Sequence, residues 1–359
     1  MEQVTYLDRR SIIKSIGGIS VVGLAGCTGN GNGGNGNGDD QNGGNGQDQN
    51  DRDGDMILGM ATATEGAAGQ VGGSAIAAAV NEFSDNLHIE AVPTPGSEAN
   101  VGLLEREEHD IALVNGYNIL QVINREGPFE SIGFDMTQTH HFMSTQWAFW
   151  APEDRGIQST DDIDSDTRVA ISGEGAGLRP PMIRFLDHAV DDYELISHPH
   201  PDQLSAFQEG HIDVGIGPKI NDDVWPAYVE EQTSVLDLQL IDFPEEALAS
   251  IDDDPLINYE IVDPLDGWVN DPDEVVVGWL DYDWVARSGA DRDAVYEMHR
   301  ALYENREDLG DFYTMLNPHG EGNGEFFVNV IDSVPFHPGA ADYWEEVDLW
   351  RDEFTRYDG

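Results

Sequence analysis

Three loops of this sequence carry the residue types that hold small polar molecules. Thr62-Ala63-Thr64-Glu65-Gly66-Ala67-Ala68-Gly69 combines hydroxyls and one carboxylate with glycines, which let a backbone approach a ligand closely. Thr94-Pro95-Gly96-Ser97-Glu98-Ala99-Asn100 offers Ser97 and Asn100, with Ser97 equally suited to cap a helix. Ser172-Gly173-Glu174-Gly175-Ala176-Gly177 runs directly into Leu178-Arg179-Pro180. A helix that follows such a loop presents free N–H groups to an anion. The third loop has the Gly-x-Gly-x-Gly form of a nucleotide loop, but no Lys-Ser or Lys-Thr follows, which excludes a P-loop. The candidate ligand-binding residues in these loops are Thr64, Glu65, Gly66, Ser97, Asn100, Gly175 and Gly177.

Five further side chains could act with them. Asn115 ends an apolar run, where a ligand contact and a turn role compete, and Tyr117 follows it, with Asn118, as a contact or a helix cap. Arg179 has the planar fork that binds a carboxylate bidentately, or it forms a surface ion pair. Lys219 follows Gly217-Pro218 and is the single lysine beyond the leader. Trp147 either packs in a strand or stacks on a ligand. Glu65 repels an anionic solute and suits one carrying an ammonium group.

Metal and catalytic chemistry find little support. His140-His141 and His198-Pro199-His200 lack the spacing of a zinc motif, and Asp252-Asp253-Asp254 is background in so acidic a chain. There is no Gly-x-Ser-x-Gly elbow, and the single Cys excludes an intramolecular disulfide. The chain reads as a binding protein with no cofactor and no metal, and an enzyme on the same scaffold is the remote alternative.

The elements that must position these loops alternate. Met56–Ala61, Leu87–Val92 and Ile111–Val114 read as strands, with helices at Gly69–Phe83, Glu98–Arg106 and Tyr117–Arg125. That order predicts a parallel sheet with helices on both faces. A polar loop over Thr137–His141 then precedes a long aromatic strand, Phe142–Ala151. A second unit repeats the logic, with strands at Arg168–Ile171, Glu194–Ser197 and Ile212–Ile216. Its helices fall at Pro180–Val190, Asp202–Glu209 and Asn221–Gln232. Glu274–Ala286 returns as a strand, and Arg292–Arg306 is a helix with Val295, Met298, His299 and Leu302 on one face. Two α/β lobes joined by long strands predict a hinged pair, with ligand held beyond the carboxyl ends of the strands.

The first 54 residues read as address rather than fold. Arg9-Arg10 precedes a weakly apolar stretch from Ile12 to Ala25, and Leu24-Ala25-Gly26-Cys27 has the form of a lipobox. The pattern predicts Tat-type export and a lipid on Cys27, against the alternative of a buried helix with an ordinary core cysteine. Residues 28–54, nearly all Gly, Asn, Asp and Gln, have nothing apolar to bury and predict a tether reaching about 25–30 Å. The expected location is extracytoplasmic, lipid-anchored to the outer face of the cytoplasmic membrane. Seventy acidic residues against seventeen Lys and Arg, a net charge of −53, exclude nucleic acid and anionic lipid as ligands. Such a surface fits a saline habitat and predicts loss of structure at low salt.

The ordered part resembles the TAXI-type solute-binding proteins of TRAP transporters. Val334-Pro335-Phe336-His337-Pro338-Gly339-Ala340 and the following Tyr343-Trp344 are similar to a C-terminal motif of that family. The stretches Thr94–Asn100, Glu107–Asn115 and Ala206–Asp213 are similar to three other family segments. The resemblance implies a type II periplasmic-binding-protein fold, in which two α/β lobes with hinge strands close on a small solute. Lobe 1 is expected to comprise 55–150 and 275–359, and lobe 2 to comprise 151–274. It also implies a membrane permease as partner, and an amino acid such as glutamate or another small carboxylate as solute. The alternative is a sensor or surface lipoprotein without a transporter. The first loop lacks the family's aromatic pair, and Gly175-Ala176-Gly177-Leu178 lacks its hydroxyls, so the pocket departs from the usual one.

Overall fold

The computed structural model describes residues 56–173, 176–221, 225–262, 268–269, 274–321 and 325–359. Arg9, Arg10, Cys27, the tether and Gly175 lie outside the described residues. Strand β1 (Met56–Ala61) lies parallel to β2 (Leu87–Val92) and to β3 (Ile111–Asn115). Helices α1 (Ala68–Phe83), α2 (Ser97–Glu105) and α3 (Gly116–Asn124) follow these strands in turn. The strands feed β4 (Met136–Pro152), the longest among the described residues, with every residue buried. A strand covered on both faces shows no polar alternation, and this one needs none.

The expected loop at Thr137–His141 is instead the first third of β4, because each polar side chain there has an internal partner. Thr137 and Thr139 donate their hydroxyls to the carbonyls of Ala286 and Trp284, and Gln138 donates to Ile331 and Val334. Buried polar groups are tolerated when satisfied in this way.

The second half contains β5 (Arg168–Ala170) parallel to β6 (Glu194–Ile196), with helix α4 (Arg179–Asp187) between them. Helix α5 (Gln203–Gln208) leads to β7 (Gly215–Ile220). The strand expected at Ile212–Ile216 is therefore displaced along the chain. Its Gly-x-Gly-Pro sequence argues against a strand, but the glycines fit under rings. A Cβ on Gly215 would lie 2.7 Å from Phe207, and one on Gly217 would lie 2.1 Å from Trp150. Helix α6 (Ala227–Val235) begins later than Asn221. Strand β8 (Leu238–Leu240), helix α7 (Glu245–Asp252) and strand β9 (Asn258–Val262) fill a stretch to which no elements had been assigned.

Strand β10 (Val275–Arg287) runs antiparallel to β4 from Gly278↔Trp147 to Arg287↔Met136. The sheet order is β2-β1-β3-β10-β4-β7, with β9 on the first half of β10 and β8 on the end of β4. Two long strands thus carry the sheet from one α/β half into the other. Helix α8 (Arg292–Glu304) buries Val295, Met298, His299 and Leu302, the face its spacing predicts. Among the described residues, no helix is long and apolar enough to cross a membrane.

Candidate functional site

Register partners project to the same side of a sheet, so pairing fixes which residues share a face. Asn115, Tyr282 and Met143 lie side by side across β3, β10 and β4. Leu280, Thr145 and Ile220 form the next row, and Gly278, Trp147 and Pro218 the one after. Helix α1 reaches this face where a Cβ on Gly69 would lie 3.8 Å from the Met143 methyl. Helix α4 covers it further along, with Met182 sulfur 3.1 Å from the Cβ position of Gly278. The segments after β2, β5 and β6 reach this floor through Ser97, Gly177 and His200, at the carboxyl ends of parallel strands.

Three of the predicted residues meet there. Ser97 Oγ accepts the Asn115 backbone N–H at 3.1 Å, so this side chain ties α2 to the end of β3 instead of capping its own helix. Asn115 caps α3 by accepting the Asn118 N–H at 2.9 Å, a role expected of Tyr117 or Asn118. The Asn115 amide donates at 2.9 Å to the carbonyl of Gly177, in the loop before α4. A Cβ on Gly177 would stand 3.2 Å from Ser97 Oγ and 3.4 Å from Asn115 Nδ2. The second and third loops are thus in direct contact.

Trp147 is 4% exposed, and its Nε1 donates to Thr145 Oγ1 at 2.8 Å. Its ring lies 5.3 Å from the imidazole of His200, which stacks in turn on Tyr228 at 6.0 Å. His200 is a candidate that sequence reading missed, because it weighed the histidines only for metal spacing. Burial lowers its pKa to about 4, so the ring is neutral. Its Nδ1 meets the Gln203 amide at 3.2 Å, and its buried Nε2 has no hydrogen-bond partner among the described residues.

The other candidates sit elsewhere. Thr64, Glu65 and Gly66 are exposed, with Thr64 Oγ1 donating to the Pro95 carbonyl at 3.3 Å and Gly66 at φ +81°. Asn100 is fully buried and donates to the carbonyls of Thr62 and Leu113, bracing β1 against β3. Tyr117 belongs to the core, where burial raises its pKa and the Arg184 guanidinium opposes the shift. Arg179 Nη1 donates to the carbonyls of Ser172, at the start of its own loop, and of Ile196 on β6, and among the described residues it makes no ion pair. Lys219 pairs in register with Gln146, not Trp147, which puts it on the reverse face of the sheet.

That reverse face carries a second polar group. Asp281 Oδ1 accepts from Ser144 at 2.6 Å, from Trp279 Nε1 at 2.8 Å and from Asn329 at 2.8 Å. His141 lies 3.3 Å from Ser144 Oγ and 3.2 Å from Asp283 Oδ1, the order of a nucleophilic triad. Ser144 is 1% exposed and its proton is directed to Asp281, so the group is a structural network rather than an open catalytic site. Burial raises the pKa of Asp281, and raises that of Asp283 well above the usual range. A surface hollow of about 490 Å³ is lined by Asp161, Asp164, Asp187, Asp191 and Asp192 among others, and shares no lining residue with the cleft. No group of three metal-ligating side chains occurs among the described residues.

The sequence matches the NMT1-like family over residues 60–347, which spans both halves and the strands between them. The chain belongs to the NMT1-like family. No curated protein matches this NMT1-like chain by sequence. Among solved structures it is similar to PhnD1 from Prochlorococcus marinus MIT 9301, determined with methylphosphonate. The two share 13% identity with a TM-score of 0.48, over 82% of this chain and 99% of that one. It is also similar to a TctC solute-binding protein from Polaromonas, at 16% identity and a TM-score of 0.45, over 82% and 99%. The periplasmic aliphatic sulphonate-binding protein SsuA from Escherichia coli shares 12% identity with a TM-score of 0.43, over 83% and 95%.

Proposed function

We propose that this NMT1-like chain is the solute receptor of a TAXI-type TRAP transporter, held by a lipid on Cys27 outside the cytoplasmic membrane. It takes a small polar solute between a lobe formed by 55–150 with 275–359 and a lobe formed by 151–274, and passes it to a membrane permease. The observation that carries this reading is the meeting of loops from both halves over one floor. Asn115 and Ser97 come from the first half, Gly177 and His200 from the second, and Trp147 lies on the strand that joins them. The C-terminal motif supports the family placement with a packing reason. A Cβ on Gly339 would lie 2.2 Å from the Arg292 carbonyl, so the helix Pro338–Glu346 needs glycine there to approach α8.

The test is a thermal-shift screen of the mature protein in strong salt against a broad set of small polar solutes. A ligand that binds only the folded state raises the midpoint by mass action, and at one hundred times Kd contributes about 2.7 kcal/mol. Saturable stabilisation by one chemical series is the expected result. No stabilisation by any member would reject the receptor reading.

A further inference from the structure

We propose that Asp283 and His141 share one buried proton where the strands joining the two halves are bulged, and that its loss loosens the hinge on which the halves swing. The swing itself belongs to the solute-receptor reading, on which this rests.

The place is a weak point of the ladder. The register of β10 on β4 slips between Tyr282 and Asp283 and again between Trp284 and Val285, and β4 carries the extra residue each time, Phe142 and then Thr139. A bulge disrupts the ladder and lets a strand bend. Side chains of the reverse face tie the segment together instead. Ser144 of β4 bonds to Asp281 of β10, and Asn329 of the C-terminal segment donates to both. Asn221, just past β7, accepts the Ser144 N–H at 2.9 Å and donates its own to the Ser144 carbonyl at 3.0 Å.

The donors and acceptors fix where the protons sit. Asp281 Oδ1 takes the Ser144 hydroxyl proton at 2.6 Å and the N–H groups of Trp279 and Asn329 at 2.8 Å each, which suits an ionised carboxylate. Ser144 has then given away its only proton, so His141 Nε2, 3.3 Å from Ser144 Oγ, is the donor of that pair. His141 Nδ1 lies 3.2 Å from Asp283 Oδ1, with one proton between them. Asp283 is 1% exposed, and its Oδ2 has no hydrogen-bond partner among the described residues, so a carboxylate there would be stranded. Asp283 therefore keeps the proton as a neutral acid and donates it to a neutral imidazole. Burial, which raises its pKa well above the usual range, acts in the same direction.

The groups around Asp283 do not offset a second charge. Asp281, two residues away on the same strand, is an anion and repels one. On β3 the register partner of Asp283 is Val114. His319, in the short helix Asn317–Glu321, meets the His141 carbonyl at 3.3 Å, and burial lowers its pKa to about 4. Burial also holds His140 well below the usual range, and His299 beyond it at about 4, so both are neutral. Lys219 shares the reverse face but pairs with Gln146, past Ser144 and Asn221. A raised folded pKa means that the packing is supported in acid and loses that support as pH rises through it. Ionised Asp283 can be relieved by water, which reaches it only when the bulged segments part.

The experiment uses the mature chain with Cys27→Ser in molar salt, without solute, titrated from about pH 6 to about pH 10. Infrared spectroscopy follows the carbonyl stretch of a protonated carboxyl. Spin labels on cysteines at the exposed positions Glu90 and Glu209 report the distance between the halves. The expected result is a carboxyl band that fades as pH rises, a distance distribution that broadens in step, and an unchanged far-ultraviolet circular dichroism spectrum. Asp283→Asn should lack the band and keep one narrow distribution throughout. Should that variant not fold, His141→Gln shifts the same band by removing its acceptor. A distribution that does not change, whatever the band does, overturns the inference and leaves the receptor reading to the solute screen. Broadening at a pH where the band is still intact, or a band that survives Asp283→Asn and is unmoved by His141→Gln, overturns it equally.

Discussion

Asn115 shows how much one short side chain can settle. Its oxygen caps α3, its amide crosses to Gly177, and its backbone N–H holds Ser97. The position at a strand end was legible in the sequence, but the partner was not, because Gly177 lies 62 residues away and a carbonyl leaves no signature. The acceptors of Arg179 Nη1 were not legible either, because among the described residues they are main-chain atoms. The close approach at Gly177 yields a direct prediction. A methyl there stands 3.2–3.4 Å from Ser97 and Asn115, so one of the loops must yield. At Gly173 the nearest atom to such a methyl is Pro199 Cγ at 3.9 Å, an ordinary contact. Gly177→Ala should therefore weaken closure by on the order of 1 kcal/mol, about a fivefold loss of solute affinity, while Gly173→Ala leaves it unchanged. Calorimetric titration of both variants decides it, and equal affinities would show that the Gly177 contact does not matter to closure.

At the scale of elements, the parallel strands and their helices were legible because apolar runs alternate with amphipathic ones. The first third of β4 was not, since Thr137 to His141 carry no apolar residue and their hydrogen-bond partners come from β10, α8 and the C-terminal segment. That junction concentrates histidines, and it sets a pH response. His299 Nδ1 lies 2.7 Å from the Val295 carbonyl and must donate to it, so His299 Nε2 accepts from His140 Nδ1 at 3.2 Å. Burial depresses His299 and His319 to about 4 from the ordinary 6.5. A depressed folded pKa means that the unfolded chain binds more protons, so stability present above 6.5 is lost as pH falls toward 4. Each histidine contributes up to about 3 kcal/mol across that window. Asp283 works in the opposite sense, because burial raises its pKa and favours the folded state in acid. In strong salt the denaturant midpoint should drop between pH 6.5 and 5, before most surface carboxylates titrate. A midpoint that stays level over that range would contradict the histidine argument.

The whole molecule is governed by its charge, which composition alone made legible. With 70 carboxylates and 17 basic residues, most acids have no cationic neighbour to pair with, and Asp161, Asp164, Asp187, Asp191 and Asp192 cluster around one surface hollow. At molar salt their fields reach only about 3 Å, whereas at 0.01 M they reach about 30 Å, the scale of a domain. The folded chain concentrates these charges in a smaller volume than the unfolded one, so dilution of salt raises the energy of the folded state more. Its core does not weaken in step, because burial of groups such as Trp284, Trp344 and Phe326 depends far less on ionic strength. The balance predicts cooperative unfolding on dialysis from molar to millimolar salt, seen as loss of the far-ultraviolet circular dichroism signal. Substituting an isosmotic neutral sugar for the salt should fail to restore it, since a sugar screens no charge. A spectrum unchanged from molar to millimolar salt would sink the prediction, and would mean that the packing of β4, β10 and their covering helices suffices without screening.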